Sequence, residues 1–147
     1  MGVKPIPEGY HAVTPYLVVQ GVAQLIDFMK TTFHAEEKER HSRPDGTVLH
    51  AEVRVGDSVV MMGEPTERTE LQPAHLYMYV NDTDATYRRA LEAGAESLRE
   101  PGDQFYGDRT AGVKDTFGNV WWIATHVEDV PPEELRRRAE AEMARED

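Results

Sequence analysis

The chain contains no cysteine in its 147 residues. Disulfides, thiolate metal sites and a cysteine nucleophile are therefore excluded, and a reducing compartment suits the composition. Long apolar runs are missing as well. Nothing approaches the roughly 18–20 residues that span a bilayer, and the opening MGVKPIPEGYH lacks the apolar stretch of a signal peptide. The reading is a cytoplasmic protein with no membrane partner. Positive charge is scarce, with 16 Lys and Arg against 27 Asp and Glu for a net charge of −11. Phosphate backbones need a basic face and none is visible, so no nucleic acid is expected as a partner. Also absent are a Gly-rich phosphate loop, a dinucleotide fingerprint and a serine nucleophile elbow, which removes the commonest nucleotide and hydrolase assignments.

What is present is a pattern that occurs twice. Val13 to Val19 reads as a strand, and Val22, Leu25, Ile26, Met29 and Phe33 then recur at helical spacing. Glu36 to His41, a Pro44-Asp45-Gly46 turn, Val48 to Val55, a Gly56-Asp57 turn and Ser58 to Met62 suggest an antiparallel meander. A polar segment at 65–73 reads as a linker, and the order restarts. Ala74 to Val80 is a strand, Asp82 caps a helix that Gly94 ends, and strands follow near 97–100, 106–114 and 120–125. Tyr16 to Val19 lies over Tyr77 to Val80 at an offset of about 60 residues, and other short matches keep that offset. The fold class expected is α+β. Two tandem βαβββ modules, about 11–64 and 74–126, form curved mixed sheets around a cleft, with a C-terminal helical tail at 130–146 that docks loosely. The whole of 1–147 is one domain.

GYHAVTPYLVV, IDF, PDG, HAE, GDS, YGDR, DTFGN and WWIATH occur in that order from Pro7 to His126. Together they resemble the PhnB-like branch of the glyoxalase, bleomycin-resistance and dioxygenase group, the vicinal-oxygen-chelate superfamily. The resemblance implies paired modules, a homodimer and a small-molecule ligand. In its metal enzymes it implies four ligands, whose places fall at Thr14, near Met61, at His75 and near Trp122. Only His75 is a metal-ligating type, so the standard metal site is expected to be absent and no cofactor is required. A divalent metal in another arrangement stays open.

Strand alternation gives a separate reading. If Leu49, Ala51, Val53 and Val55 pack under the helix, His50, Glu52 and Arg54 point into the cleft. Thr14 and Tyr16 share one strand face, as do His75, Tyr77 and Tyr79. His50 and Glu52 could form a base with its orienting carboxylate, two ligands of a nonstandard metal site, or a solvated strand face. His75 is a ligand, a general base or a packing residue. Tyr106, with Gly107, Asp108 and Arg109, would bind a polar ligand, or Asp108 and Arg109 would form a structural ion pair. Of the adjacent Trp121 and Trp122 one must enter the core, and the family register sends Trp122 to the cleft as a flat wall. Asp115, Gly118 and Asn119 read as turn residues. His11, His34, His41 and His126 read as surface.

The function expected is binding of a small organic ligand by Tyr16, Tyr77, Tyr106, Arg109 and Trp122 in the cleft between modules. The alternative is a metal-dependent lyase, isomerase or dioxygenase using His50, Glu52 and His75.

Overall fold

In the computed structural model, which describes residues 2–146, each half of the chain repeats one plan. The first half runs β1 (Tyr16–Val18), α1 (Val22–Phe33), β2 (Glu36–Ser42), β3 (Val48–Val55) and β4 (Ser58–Gly63). The second runs β5 (His75–Tyr79), α2 (Thr83–Glu92), β6 (Glu96–Asp103), β7 (Asp108–Lys114) and β8 (Val120–His126), and α3 (Pro132–Glu146) follows. The sheets have strand orders β1-β4-β3-β2 and β5-β8-β7-β6, with the first pair in each parallel and the rest antiparallel. These are the tandem βαβββ modules of the α+β fold expected from the repeat. Asp82 caps α2 by accepting from the Ala85 amide at 3.0 Å, which satisfies one of the orphan donors of the first turn.

The helices lie between the sheets. Val22, Leu25, Ile26 and Met29 of α1 are sealed in one core with Val53 and Met62 of the first sheet and Ala111, Val113, Trp121 and Ile123 of the second. Trp121 is 0% exposed, with ring centroids 4.9 Å from Phe33 and 6.4 Å from Phe28. Its indole N–H donates to Asp115 Oδ2 at 2.8 Å. The same carboxylate accepts from the backbone N–H groups of Phe117 and Asn119, so the β7–β8 turn is built around the anchor of the core tryptophan. The Arg89 guanidinium donates to the Thr32 carbonyl at 3.1 Å, tying α2 to the end of α1.

Because the two sheets present their helix sides to a shared core, their other faces open outward. One row crosses each open face in matching register: Tyr16, Met61, Glu52 and Glu39 in the first sheet, Tyr77, Trp122, Gly112 and Arg99 in the second. One expectation for β3 fails. Leu49 is 41% exposed and Val48 is 0% exposed, because the β2–β3 pairing slips between His41 and Ser42 and the extra residue turns Leu49 away from the helix. Beyond the bulge, Ala51, Val53 and Val55 face the core as the alternation requires. Tyr106 and Gly107 precede β7 rather than opening it, in a turn closed by the Gly107 amide on the Gln104 carbonyl at 3.1 Å. The tail helix α3 is held by polar contacts, Arg138 donating to the Phe105 carbonyl at 3.1 Å and pairing with Glu128 at 2.9 Å.

Replacing Trp121 with alanine empties the centre of the core and strands the Asp115 carboxylate. Trp121→Ala should cost about 3–5 kcal/mol in urea unfolding, whereas Trp122→Ala, on the open face, should cost less than half as much. Equal losses at the two positions would contradict this packing.

Candidate functional site

On the open face of the first sheet, β3 brings His50 and Glu52 together as the two-residue spacing requires. His50 Nε2 lies 2.8 Å from Glu52 Oε2, and the Tyr16 hydroxyl lies 3.4 Å from His50 Nδ1. Glu39, opposite Glu52 on β2, approaches His50 Nε2 to 3.9 Å. Glu39, His50 and Glu52 offer one imidazole nitrogen and two carboxylate oxygens within 4.8 Å of one another.

Residues before β1 roof this face. The Tyr10 hydroxyl donates to Glu52 Oε1, and Pro5, Ile6, Pro7, Tyr10, His11 and Ala12 line, with Thr14, Glu52 and Met61, an open pocket of about 450 Å³. Glu52 is only 6% exposed. Burial pushes its carboxyl up, but the hydrogen bonds from His50 and Tyr10 and the contact with Glu39 outweigh burial and hold it below the ordinary glutamate value. A carboxylate that stays charged inside a pocket lined largely by proline, isoleucine, alanine and methionine is an anchor for a cation. Tyr10 and Glu39 were not among the candidates read from the sequence. Glu39 could have been found by extending strand alternation across the β2–β3 pair, whereas no local signal shows that the leader folds back over β3.

The second open face is built differently. Trp122 lies across Gly112, where an added Cβ would stand 2.5 Å from the ring, so only glycine lets the indole lie flat on the sheet. The Trp122 indole N–H donates to His75 Nδ1 at 3.4 Å, and the Arg99 guanidinium stacks 5.4 Å from the ring centroid. Nearby, Tyr77 and Tyr79 both donate to Asp108 Oδ2, at 2.7 and 2.8 Å. Burial, the Asp108 bond and the neighbouring Tyr106 together push the Tyr77 hydroxyl value well up.

Arg109 takes the other face of β7. It forms a forked pair with Asp84 of α2 at 2.7 and 3.0 Å and reaches Asp103 at 3.1 Å, so it stands apart from the remaining candidates. His50, Glu52 and Tyr16 thus meet on one sheet, and His75 with Trp122 and Tyr77 with Tyr79 and Asp108 on the other. Among the described residues no hydrogen bond or ring contact links the two groups.

His126, read from the sequence as a surface residue, is clasped between two acids, its Nδ1 2.8 Å from Asp108 and its Nε2 2.7 Å from Asp129. Both ring nitrogens face carboxylates, a geometry that requires both to carry protons. Asp108 first and Asp129 second hold the imidazole above its ordinary value of 6.5. Burial works to raise Asp108, but His126, Tyr77 and Tyr79 hold it below 3.8. A raised histidine stabilises the fold below its unfolded value and loses that contribution as pH rises through the folded value. A lowered aspartate stabilises above its unfolded value and loses that contribution as pH falls through the folded one. Urea midpoints should therefore favour the parent over His126→Gln most strongly near pH 5–6. The gap should close at alkaline pH, and a constant gap across that range would contradict the clasp.

Comparison with known proteins fits this architecture. Residues 10–123 match the model of the Glyoxalase/Bleomycin resistance protein/Dioxygenase superfamily. Uncharacterized proteins of Mycobacterium bovis and Mycobacterium tuberculosis are 35% identical over 136 residues, covering 85% of this chain and 90% and 80% of their own lengths. Among solved structures, TioX from Micromonospora sp. ML1 superposes with a TM-score of 0.67 at 21% identity, covering 80% of this chain and 99% of TioX. A superfamily member from Sphaerobacter thermophilus gives 0.64 at 18% identity, with 78% and 96% covered. The chain belongs to the glyoxalase, bleomycin-resistance and dioxygenase superfamily.

The metal that enzymes of the superfamily carry does not fit the positions implied by the resemblance. Thr14, Met61 and Trp122 supply no carboxylate or imidazole, and the fourth position, His75, accepts the indole N–H of Trp122.

Proposed function

We propose that the protein binds small organic molecules on its open sheet faces without the superfamily's standard metal, and that the roofed cavity of the first module takes an organic cation. The observation that carries this is Glu52, charged and little exposed at the floor of an open pocket of about 450 Å³ with an otherwise mostly apolar lining. That volume suits a small ligand. An ammonium group would take the place of the Tyr10 hydroxyl on Glu52, and the apolar body of the ligand would lie against Ile6, Pro7 and Met61. Tyr16 holds His50, and His50 holds the carboxylate.

In the same reading the protein is a cytoplasmic homodimer of the PhnB-like branch. Tyr16, Tyr77, Tyr79, Leu49 and Leu98 give it exposed apolar surface against which a second copy could pack. Tyr77, Tyr106 and Trp122 serve the ligand face of the second module, and Arg109 buttresses it through Asp84.

A second reading rests on the Glu39, His50 and Glu52 group. Two carboxylates and an imidazole suit a divalent cation, which would supply Lewis-acid chemistry for a lyase, isomerase or dioxygenase. Calorimetry separates the two. Benzyltrimethylammonium and tyramine should bind the parent saturably, and Glu52→Gln should weaken them about tenfold, the worth of one charge-assisted contact. Tyr10→Phe should tighten them, because the carboxylate no longer has to be vacated. No saturable binding of any organic cation would defeat the first reading. Stoichiometric uptake of manganese or zinc that disappears in His50→Ala would install the second.

A further inference from the structure

The two open faces carry opposite charge at equivalent places. Where the first sheet sets Glu39 across from Glu52, the second sets Arg99 across from Gly112. Where the first places Met61, the second places Trp122. Arg99 forms no ion pair among the described residues, although acids outnumber bases by 27 to 16 in the sequence. Its planar guanidinium is held over the Trp122 ring, which leaves its N–H edge available in the plane. His75 touches the same indole from β5, while Lys114 of β7 stands across from Glu96 of β6. The indole itself lies flat because Gly112 has no side chain. A flat apolar platform flanked by an unpaired guanidinium and an imidazole is matched to a planar ring bearing a negative charge.

We infer that the open face of the second module is a binding site for planar aromatic carboxylates, whose ring takes the place of the Arg99 guanidinium over Trp122 while the carboxylate pairs with the displaced guanidinium and with His75. The inference rests on the reading that the open faces bind small molecules, and it differs from the Glu52 pocket in residues and ligand charge, so benzoate binding can fail while an organic cation still binds. Trp122 supplies contact area, Gly112 keeps its ring flat, and Arg99 selects charge by a forked contact that a neutral amide cannot accept.

The chain has two tryptophans, one of them sealed in the core, so emission changes on titration report Trp122. Benzoate should quench the parent saturably. Benzamide, which has the ring without the charge, and cyclohexanecarboxylate, which has the charge without the flat ring, should each bind about tenfold more weakly. Arg99→Gln, at an exposed position where folding is not at risk, should weaken benzoate by about the same factor, and Arg136→Gln on α3 should leave it unchanged. Nuclear magnetic resonance should show benzoate shifting the Trp122 indole N–H and leaving that of Trp121 in place. The inference is overturned if benzoate does not saturate, if benzamide matches it, or if Arg99→Gln binds as the parent does.

Discussion

Burial of Trp121 between α1 and the second sheet is the constraint on which the rest depends. An indole at the centre of the core needs a partner for its N–H, and Asp115 provides one from the turn that β8 leaves. Strand alternation then fixes its neighbour. With residue 121 inward, residue 122 must point outward, and the second open face acquires an aromatic wall as a geometric consequence of how the core is filled. The same packing joins the modules through their helices, so the two open faces lie on opposite sides of one core.

The faces descend from one plan and have diverged in charge. Across the first sheet the row reads Tyr16, Met61, Glu52, Glu39, and across the second Tyr77, Trp122, Gly112, Arg99. Where the first face has Met61 beside Glu52, the second has the larger Trp122 beside Gly112, since no Cβ fits beneath the ring. On the edge strand the first face carries Glu39 where the second carries Arg99. Divergence of this kind lets a duplicated unit keep its core while changing what each face attracts.

Much of this was legible in the sequence. The repeat offset, the helical spacing of Val22 to Phe33, the Asp82 cap and the Asp115 turn gave the architecture, because each is a local signal. The pairing of His50 with Glu52 followed from period-two alternation, as did the opposite fates of Trp121 and Trp122. Three things did not follow. Leu49 turned outward because a bulge added a residue to the pairing, and a bulge leaves no mark in composition. Tyr10 reached Glu52 across 42 residues, a closure that no local pattern encodes. His126 looked like a strand-end histidine, yet its partners Asp108 and Asp129 come from β7 and from the segment after β8, and only the fold brings both to one ring.

The residues at the superfamily's ligand positions have a chemical consequence for both faces. A divalent ion holds oxygen ligands by concentrated positive charge, and Thr14, Met61 and Trp122 offer it no carboxylate or imidazole, so charge complementarity there comes from other side chains. On the second face Arg99 supplies positive charge beside Trp122. On the first, Glu52 remains ionised against the cost of burial because His50 and Tyr10 donate to it. Tyr10 belongs to the leader, so the bond that keeps this carboxylate satisfied also closes the roof above it. In the cation reading, a ligand that replaces the hydroxyl would also loosen residues 5–12, so that entry and anchoring would be one event at one carboxylate.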